Sequence, residues 1–304
     1  MAEFWVIADK PGAAGELLAS AKGLARGETL VCLTCDQETA AEAARRGADR
    51  VVLFEGGARP ESYVADWSEK ARLERPAAIL LGAGRRDKEI AARMAARLEA
   101  GLISDCVKLE RGEGGFYSER YIYGGLCLAG ETTARTPFMA TMAAGKVQPL
   151  PAGGAAPVEK AAAARADQVR LVELQPHQSA SNLMSAKVIV CVGRGLAQKE
   201  DLKLAEDLAR ALGGEVGCTR PVAEERHWLP EESYIGITGK KPAPDLYLTL
   251  GVSGQIQHLS GVRDSKFIVA VEKNETAPIA ESADYTVVGD LYDVVPRLLA
   301  GLQA

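Results

Sequence analysis

Basic excess is missing from this sequence. Lysine and arginine number 36 against 41 acidic residues, a formal net charge of −5. Without clustered positive charge there is no electrostatic footprint for general nucleic-acid binding. No apolar run approaches the roughly 20 residues that cross a bilayer, so direct membrane insertion is not expected. The N-terminus has no basic segment followed by a long apolar stretch, so no secretory signal is read there and a cytoplasmic location is expected. Aromatics are scarce at 5%, whereas glycine is plentiful at 31 residues; closely packed helices and tight turns follow. Histidine is down to three. The six cysteines, Cys32, Cys35, Cys106, Cys127, Cys191 and Cys218, lie mostly in apolar, strand-like stretches. They fit reduced, buried thiols better than a disulfide framework. Cys32-Leu33-Thr34-Cys35 is a lone CxxC, and without a second pair or nearby histidines it cannot complete a tetrahedral metal site. No closely spaced cysteine run suits an iron–sulfur cluster.

The chain is otherwise ordinary for a globular protein, 47% hydrophobic and 25% charged, and its 304 residues suggest about two domains. Strand-like apolar runs at 4–8, 30–33, 51–54 and 77–81 alternate with helical periodicity at 12–24, 38–46, 61–73 and 85–98. That alternation implies parallel strands joined by crossover helices. From residue 102 the pattern changes. Segments 102–109, 116–128 and 135–141 read as strands separated by glycine-rich turns, an antiparallel extension of the sheet. Residues 151–165 read as a low-complexity connection, with a strand at 168–174 after it. The domain boundary falls around 181–187. A second strand–helix series then runs through strands at 187–192, 246–250, 267–271 and 285–288, with helices at 202–212 and 291–302. It suits a five-stranded parallel sheet.

Residues that suggest chemistry crowd into this second series. Gly193-Arg194-Gly195 directly follows a strand. Glycines there let the backbone turn sharply, a following helix can present free amides to a phosphate, and Arg194 adds a fixed charge with several donors. The same pattern also describes a turn with a solvated arginine, and it is not the GxGxxG dinucleotide fingerprint. Gly217-Cys218-Thr219-Arg220-Pro221 lies just after a further short apolar strand, and in it a hydroxyl precedes a guanidinium, which suits an anionic ligand edge and equally a surface ion pair. Tyr234-Ile235-Gly236-Ile237-Thr238-Gly239-Lys240 does not match the triphosphate-binding loop, which excludes nucleoside triphosphate hydrolysis. The densest block is Gly251-Val252-Ser253-Gly254-Gln255-Ile256-Gln257-His258: a strand, a glycine turn, then a helix whose N-terminus can face a pyrophosphate.

Taken in order, these blocks resemble the alpha subunit of electron-transfer flavoprotein. Leu246-Tyr247, Asp264-Ser265-Lys266, Ala277-Pro278-Ile279, Ala283-Asp284-Tyr285 and Asp290-Leu291 add to the likeness, as do Ala95-Ala96-Arg97-Leu98 and Thr136-Pro137-Phe138-Met139-Ala140-Thr141. The resemblance spans essentially the whole chain. It implies an α/β protein of two domains: an N-terminal mixed-sheet, nucleotide-hydrolase-like domain (1–184) serving as a subunit-contact platform, and a C-terminal parallel-sheet, Rossmann-like FAD domain (185–304). It also implies a heterodimer with a beta subunit and an FAD cofactor. Such a carrier accepts electrons from dehydrogenases and passes them to a membrane or soluble acceptor oxidoreductase.

By position, the resemblance assigns flavin contacts to Arg194, Thr219, Arg220, Ile235, Gly236, Ile237, Thr238, Ser253, Gly254, Gln255, Ile256, Gln257, His258, Glu272, Asp290 and Leu291. It puts Arg220 over or beside the ring, Thr238 near N5 and His258 near the O2 side. Ser253 to Gln257 would meet the pyrophosphate, and Asp290 and Leu291 the adenosine end. Positive charge near N1 and O2 favours an anionic reduced ring, and an imidazole there should have its charged form favoured. Ile237 stands where the family commonly has glutamine, Glu272 where it has asparagine and Thr219 where it has serine. A two-FAD, NADH-dependent bifurcating relative is the alternative within the class. A nucleotide-dependent oxidoreductase and a non-redox adenosine sensor are the rivals outside it. The absent GxGxxG and the absent catalytic base count against the oxidoreductase.

Overall fold

In a computed structural model, residues 2–56, 59–143, 147–163, 172–173 and 182–302 are described. The chain divides into two compact units, Met1–Leu174 and Gln175–Ala304. The expected strand at 168–174, apart from 172 and 173, and residue 181 of the expected boundary lie outside the described residues.

The first unit opens with β1 (Glu3–Ile7), α1 (Pro11–Leu24), β2 (Thr29–Thr34), α2 (Gln37–Arg45), β3 (Arg50–Glu55), α3 (Val64–Glu74), β4 (Ala78–Gly82) and α4 (Arg85–Leu98). It continues with β5 (Leu102–Gly112), β6 (Gly115–Ile122), β7 (Cys127–Thr132), β8 (Phe138–Met142) and β9 (Val158–Ala162). They form one nine-stranded sheet, ordered β7-β6-β5-β8-β4-β1-β2-β3-β9. The central strands are apolar on both faces because helices cover both. Phe4, Val6, Cys32 and Leu80 pack to one side, and Trp5, Ile7, Leu33 and Leu81 to the other. Local chemistry sets the helix ends. Pro11 occupies the first turn of α1, where its missing N–H costs nothing. Asp36 caps α2 by accepting from the Thr39 amide at 2.7 Å.

Two expectations need correction. The segment read at 135–141 is not part of the antiparallel extension: β8 runs parallel to β4 and sits between β4 and β5, so only β5-β6-β7 is antiparallel. The stretch read as a low-complexity connection contains β9, which pairs in parallel with β3 from Val51↔Val158 to Glu55↔Ala162. Its side chains are mostly exposed, so no apolar alternation announces it. Backbone pairing and the Lys160–Glu55 and Arg50–Glu159 ion pairs hold it at the edge. Within 116–128, Tyr123, Gly124 and Gly125 all take positive φ and separate β6 from β7.

The second unit comprises β10 (Val188–Val192), α5 (Leu202–Ala211), β11 (Glu215–Cys218), β12 (Leu246–Leu250), α6 (Ile256–Leu259), β13 (Phe267–Glu272), α7 (Pro278–Ser282), β14 (Tyr285–Val288) and α8 (Leu291–Leu302). All five strands are parallel, in the order β11-β10-β12-β13-β14. Val190, Val192, Leu248 and Leu250 pack with Leu208 and Val295 on one face. Ile189, Cys191, Tyr247 and Ala270 pack with Val252, Val262 and Ile279 on the other. The chain winds outward from β10 in both directions, so β10 and β12 flank a topological switch point. Ligands of open α/β sheets bind at the carboxyl ends of the strands beside such a point.

Candidate functional site

Glycine lets the loops after β10 and β12 cross in direct backbone contact. The Gly193 amide donates to the Leu250 carbonyl and the Gly195 amide to the Gly251 carbonyl, each at 3.0 Å. A Cβ at 193 would stand 2.2 Å from the Gly251 oxygen. One at 251, where φ is +62°, would stand 2.6 Å from the Gly195 Cα. Gly254, at φ +76°, is pressed against the Ile279 amide in the same way. The turn is thereby held close to the sheet edge. Among the described residues the amides of 253–257 donate to no acceptor. Successive free amides form an anion-binding concavity. The helix expected after this turn is only the single turn α6, so these loop amides, not a long helix terminus, offer the positive potential.

Several of the expected residues gather around this turn. Arg194 is exposed and pairs with no carboxylate among the described residues. Thr219 is pinned by its amide, which donates to the Val192 carbonyl at 3.0 Å, yet its Oγ1 is buried with no hydrogen-bond partner. A buried hydroxyl without a partner is unfavourable, and a ligand atom would relieve it. The segment 234–240 is tied in twice: the Ile235 amide donates to the Cys218 carbonyl (2.9 Å) and the Ile237 amide to the Gln257 carbonyl (2.7 Å). Ile237 and Ile256 are 40% and 42% exposed, apolar surface that a planar ring can cover. The Thr238 hydroxyl lies 3.2 Å from that of Tyr234.

Arg220 is not a free charge. Its Nε donates to Glu224 Oε2 at 2.6 Å, and that carboxylate holds the guanidinium charged. Sequence reading missed Glu224, although its place four residues after an arginine was a usable signal.

His258 is 7% exposed. Its Nδ1 lies 3.1 Å from the Ile235 carbonyl and its Nε2 2.9 Å from the Tyr247 hydroxyl. A carbonyl only accepts, so Nδ1 carries the proton and Nε2 accepts from Tyr247. Burial pushes the imidazole down to about 4. The protein's own groups therefore favour a neutral ring; the charged form expected from the sequence is the one beside a negative flavin. The group binds its proton more weakly folded than unfolded, so its contribution is complete above about pH 6.5 and is lost as pH falls toward 4. Denaturant melts should show a loss of about 3 kcal/mol over that interval, on the order of 1.4 kcal/mol per pH unit. The slope should be absent in His258→Gln. Equal slopes in the two proteins would exclude His258 as the source.

The remaining expected residues lie on the same edge of the sheet. Glu272 ends β13, and its Oε1 accepts from the Asn274 amide at 3.1 Å. Asp290 caps α8, its Oδ1 accepting from the Tyr292 amide at 2.9 Å. The Leu291 side chain is buried in the core, which leaves its main chain for a ligand. Tyr292, also missed, accepts from the Ala197 amide at 2.8 Å and donates to Asp201, tying the loop after β10 to α8.

In the first unit the Cys32 and Cys35 thiols are pushed up by burial to about 12 and 11, so both stay protonated. Cys127 is exposed, unlike the buried cysteines. Asp9, two residues after β1, pairs with Arg86 at 3.0 Å.

A family model of the electron transfer flavoprotein FAD-binding domain matches residues 182–263, and one of the electron transfer flavoprotein domain matches residues 11–166. The chain is 36% identical over 305 residues to the "Putative electron transfer flavoprotein subunit YdiR" of Escherichia coli K12, covering 98% of this chain and 97% of that one. It is 34% identical over 306 residues to the protein FixB of Salmonella typhimurium, with the same coverage. FixB of Escherichia coli O157:H7 is 34% identical over 313 residues, covering 99% and 98%. The partnerless Thr219 hydroxyl, the free amides and the glycine crossing thus stand in a matched FAD-binding domain, and the chain belongs to the electron transfer flavoprotein family as an alpha-type, FAD-binding subunit.

Proposed function

We propose that this subunit works as a heterodimer with a beta subunit, taking electrons from dehydrogenases and passing them to a membrane or soluble acceptor oxidoreductase. FAD supplies one- and two-electron transfer at its ring. The chain's own residues bind and orient it. Arg194 and the amides of 253–257 take the pyrophosphate by charge and hydrogen bonding. Ile237 and Ile256 cover ring surface and exclude water. Thr219 and Thr238 offer hydroxyls to the ring edge, Arg220 sets positive charge beside it, and Glu272 and Asp290 serve the nucleotide end. Six unpaired cysteines fit a reducing, cytoplasmic setting. No helix among the described residues is long and apolar enough to cross a membrane.

One observation carries the FAD part of this reading: the Thr219 Oγ1 is buried without a partner at the carboxyl end of a sheet whose 253–257 amides also lack acceptors. Thr219→Val keeps the shape and removes the hydroxyl. The flavin-free protein should gain stability, by about 1 kcal/mol, because no bond is lost and the cost of an unpaired buried hydroxyl is removed. FAD should bind several-fold more weakly, the effect of about 1 kcal/mol from one hydrogen bond. Titration calorimetry and thermal melts with and without FAD read both quantities. Unchanged affinity would remove Thr219 from the site.

Photoreduction of the purified complex with flavin counting tests the function as a whole. One FAD without NADH reactivity supports the simple carrier. Two FADs with NADH reactivity move the assignment to the bifurcating class. A colourless chain beside its beta-type partner overturns the proposal.

A further inference from the structure

Two adjacent residues of α6 hold two residues of the 234–240 segment. Gln257 takes the Ile237 amide at 2.7 Å on its carbonyl, and the His258 Nδ1–H donates to the Ile235 carbonyl at 3.1 Å. The second bond requires the ring to keep one orientation and one neutral tautomer, with Nε2 an acceptor. The Tyr247 hydroxyl, 2.9 Å from Nε2, supplies the matching donor. Tyr247 is fully buried in β12, in a strand otherwise made of Leu246, Leu248, Thr249 and Leu250. Burying a hydroxyl is unfavourable unless it is bonded, so a tyrosine at this position is explained by what its oxygen contacts. Those contacts are the imidazole and the neighbouring Cys191 thiol.

Resting on the reading that this edge holds FAD, we propose that Tyr247 is a positioning residue of the site: its hydroxyl fixes the His258 ring so that Nδ1–H holds the Ile235 carbonyl and, with it, the segment carrying Ile237 and Thr238. Tyr247 touches no ligand itself. It acts through His258, as an outer partner fixes the tautomer and plane of an imidazole. Without the hydroxyl, Nε2 is a buried acceptor with no donor. The ring then swings in search of one, and the 235–238 segment loosens.

The test uses the full chain with its beta-type partner and 15N-labelled histidine. The wild-type His258 should show a protonated Nδ1 and a hydrogen-bonded, unprotonated Nε2. In Tyr247→Phe the Nε2 resonance should move to that of an unbonded lone pair. The dissociation constant for FAD should rise on the order of fivefold, the size of one net hydrogen bond, and the ring's midpoint potential should shift with it. A wild-type Nε2–H tautomer overturns the proposal without any variant, so the test survives a Tyr247→Phe protein that fails to fold. A folded variant with an unmoved Nε2 resonance, or with unchanged affinity and potential, also overturns it. A wild-type protein that takes up no FAD yet shows the expected tautomer fails the flavin reading, and with it the role of Tyr247 toward FAD. The intact tautomer signature tells that result apart from failure of the clamp.

Discussion

Gly193→Ala should abolish FAD retention and destabilise the second unit by about 3 kcal/mol, the upper part of the usual overpacking range. The added methyl would lie 2.2 Å from the Gly251 oxygen and 2.9 Å from the Val252 Cα. Both obstacles are backbone, so no side chain can turn aside. Relief requires the loops after β10 and β12 to separate, which breaks the Gly195–Gly251 hydrogen bond and moves the amides of 253–257. A matched control lies in the first unit: Gly12, in α1, has open space where its Cβ would be. Gly12→Ala should leave flavin content unchanged and raise stability by roughly 0.5–1 kcal/mol through helix propensity. Denaturant melts and flavin absorbance of the two variants measure the contrast. Full flavin content in folded Gly193→Ala would show that the loop crossing does not shape the site.

Arg220→Ala should lower the one-electron midpoint potential of the bound flavin, and Glu224→Gln should raise it. A positive charge beside the ring favours its reduced, negative form. The Glu224 carboxylate, 2.6 Å from Arg220 Nε, offsets part of that charge. Glu224→Gln keeps a hydrogen-bonding side chain and removes only the offset. A shift of ~60 mV is a tenfold change for a one-electron couple, and each variant should move by an amount of this order. The Arg220 side chain is 63% exposed, so both shifts should shrink as salt is raised. Spectroelectrochemical titration at two ionic strengths reads sign, size and screening together. Shifts of the same sign in both variants would show that Arg220 acts by packing; no shift in either would remove it from the ring's surroundings.

The two predictions rest on features that were unequally visible in the sequence. The glycine crossing was legible as Gly193-Arg194-Gly195 and Gly251-Val252-Ser253-Gly254, because glycine after a strand has few purposes other than a sharp turn or a close approach. The charge pairing at Arg220 was half legible: an i,i+4 glutamate was in plain view, but the segment did not read as helical, and it folds as a single wide turn at Pro221–Glu225. His258 stood out in the sequence as one of three histidines, but the groups that face its ring did not. An imidazole's charge depends on how much water surrounds it and which groups face its nitrogens. Tyr247 stands 11 residues away along the chain and Ile235 stands 23 away, at spacings no local pattern encodes.

Local order was set by the sequence alone. The alternation of apolar runs with helical periodicity determined two α/β units, the parallel five-stranded sheet and the ends of most helices, because side-chain period and glycine's missing Cβ are properties of neighbouring residues. Tertiary structure decided what depends on distant partners. It inserted β8 between β4 and β5, and it recruited the mostly exposed Val158–Ala162 as an edge strand through backbone bonds that any side chain permits. It buried His258 between a tyrosine and a carbonyl. It also left the Thr219 hydroxyl buried without a partner. Burial and pairing are sums over the whole fold, so these four features could be read only once the chain had closed on itself.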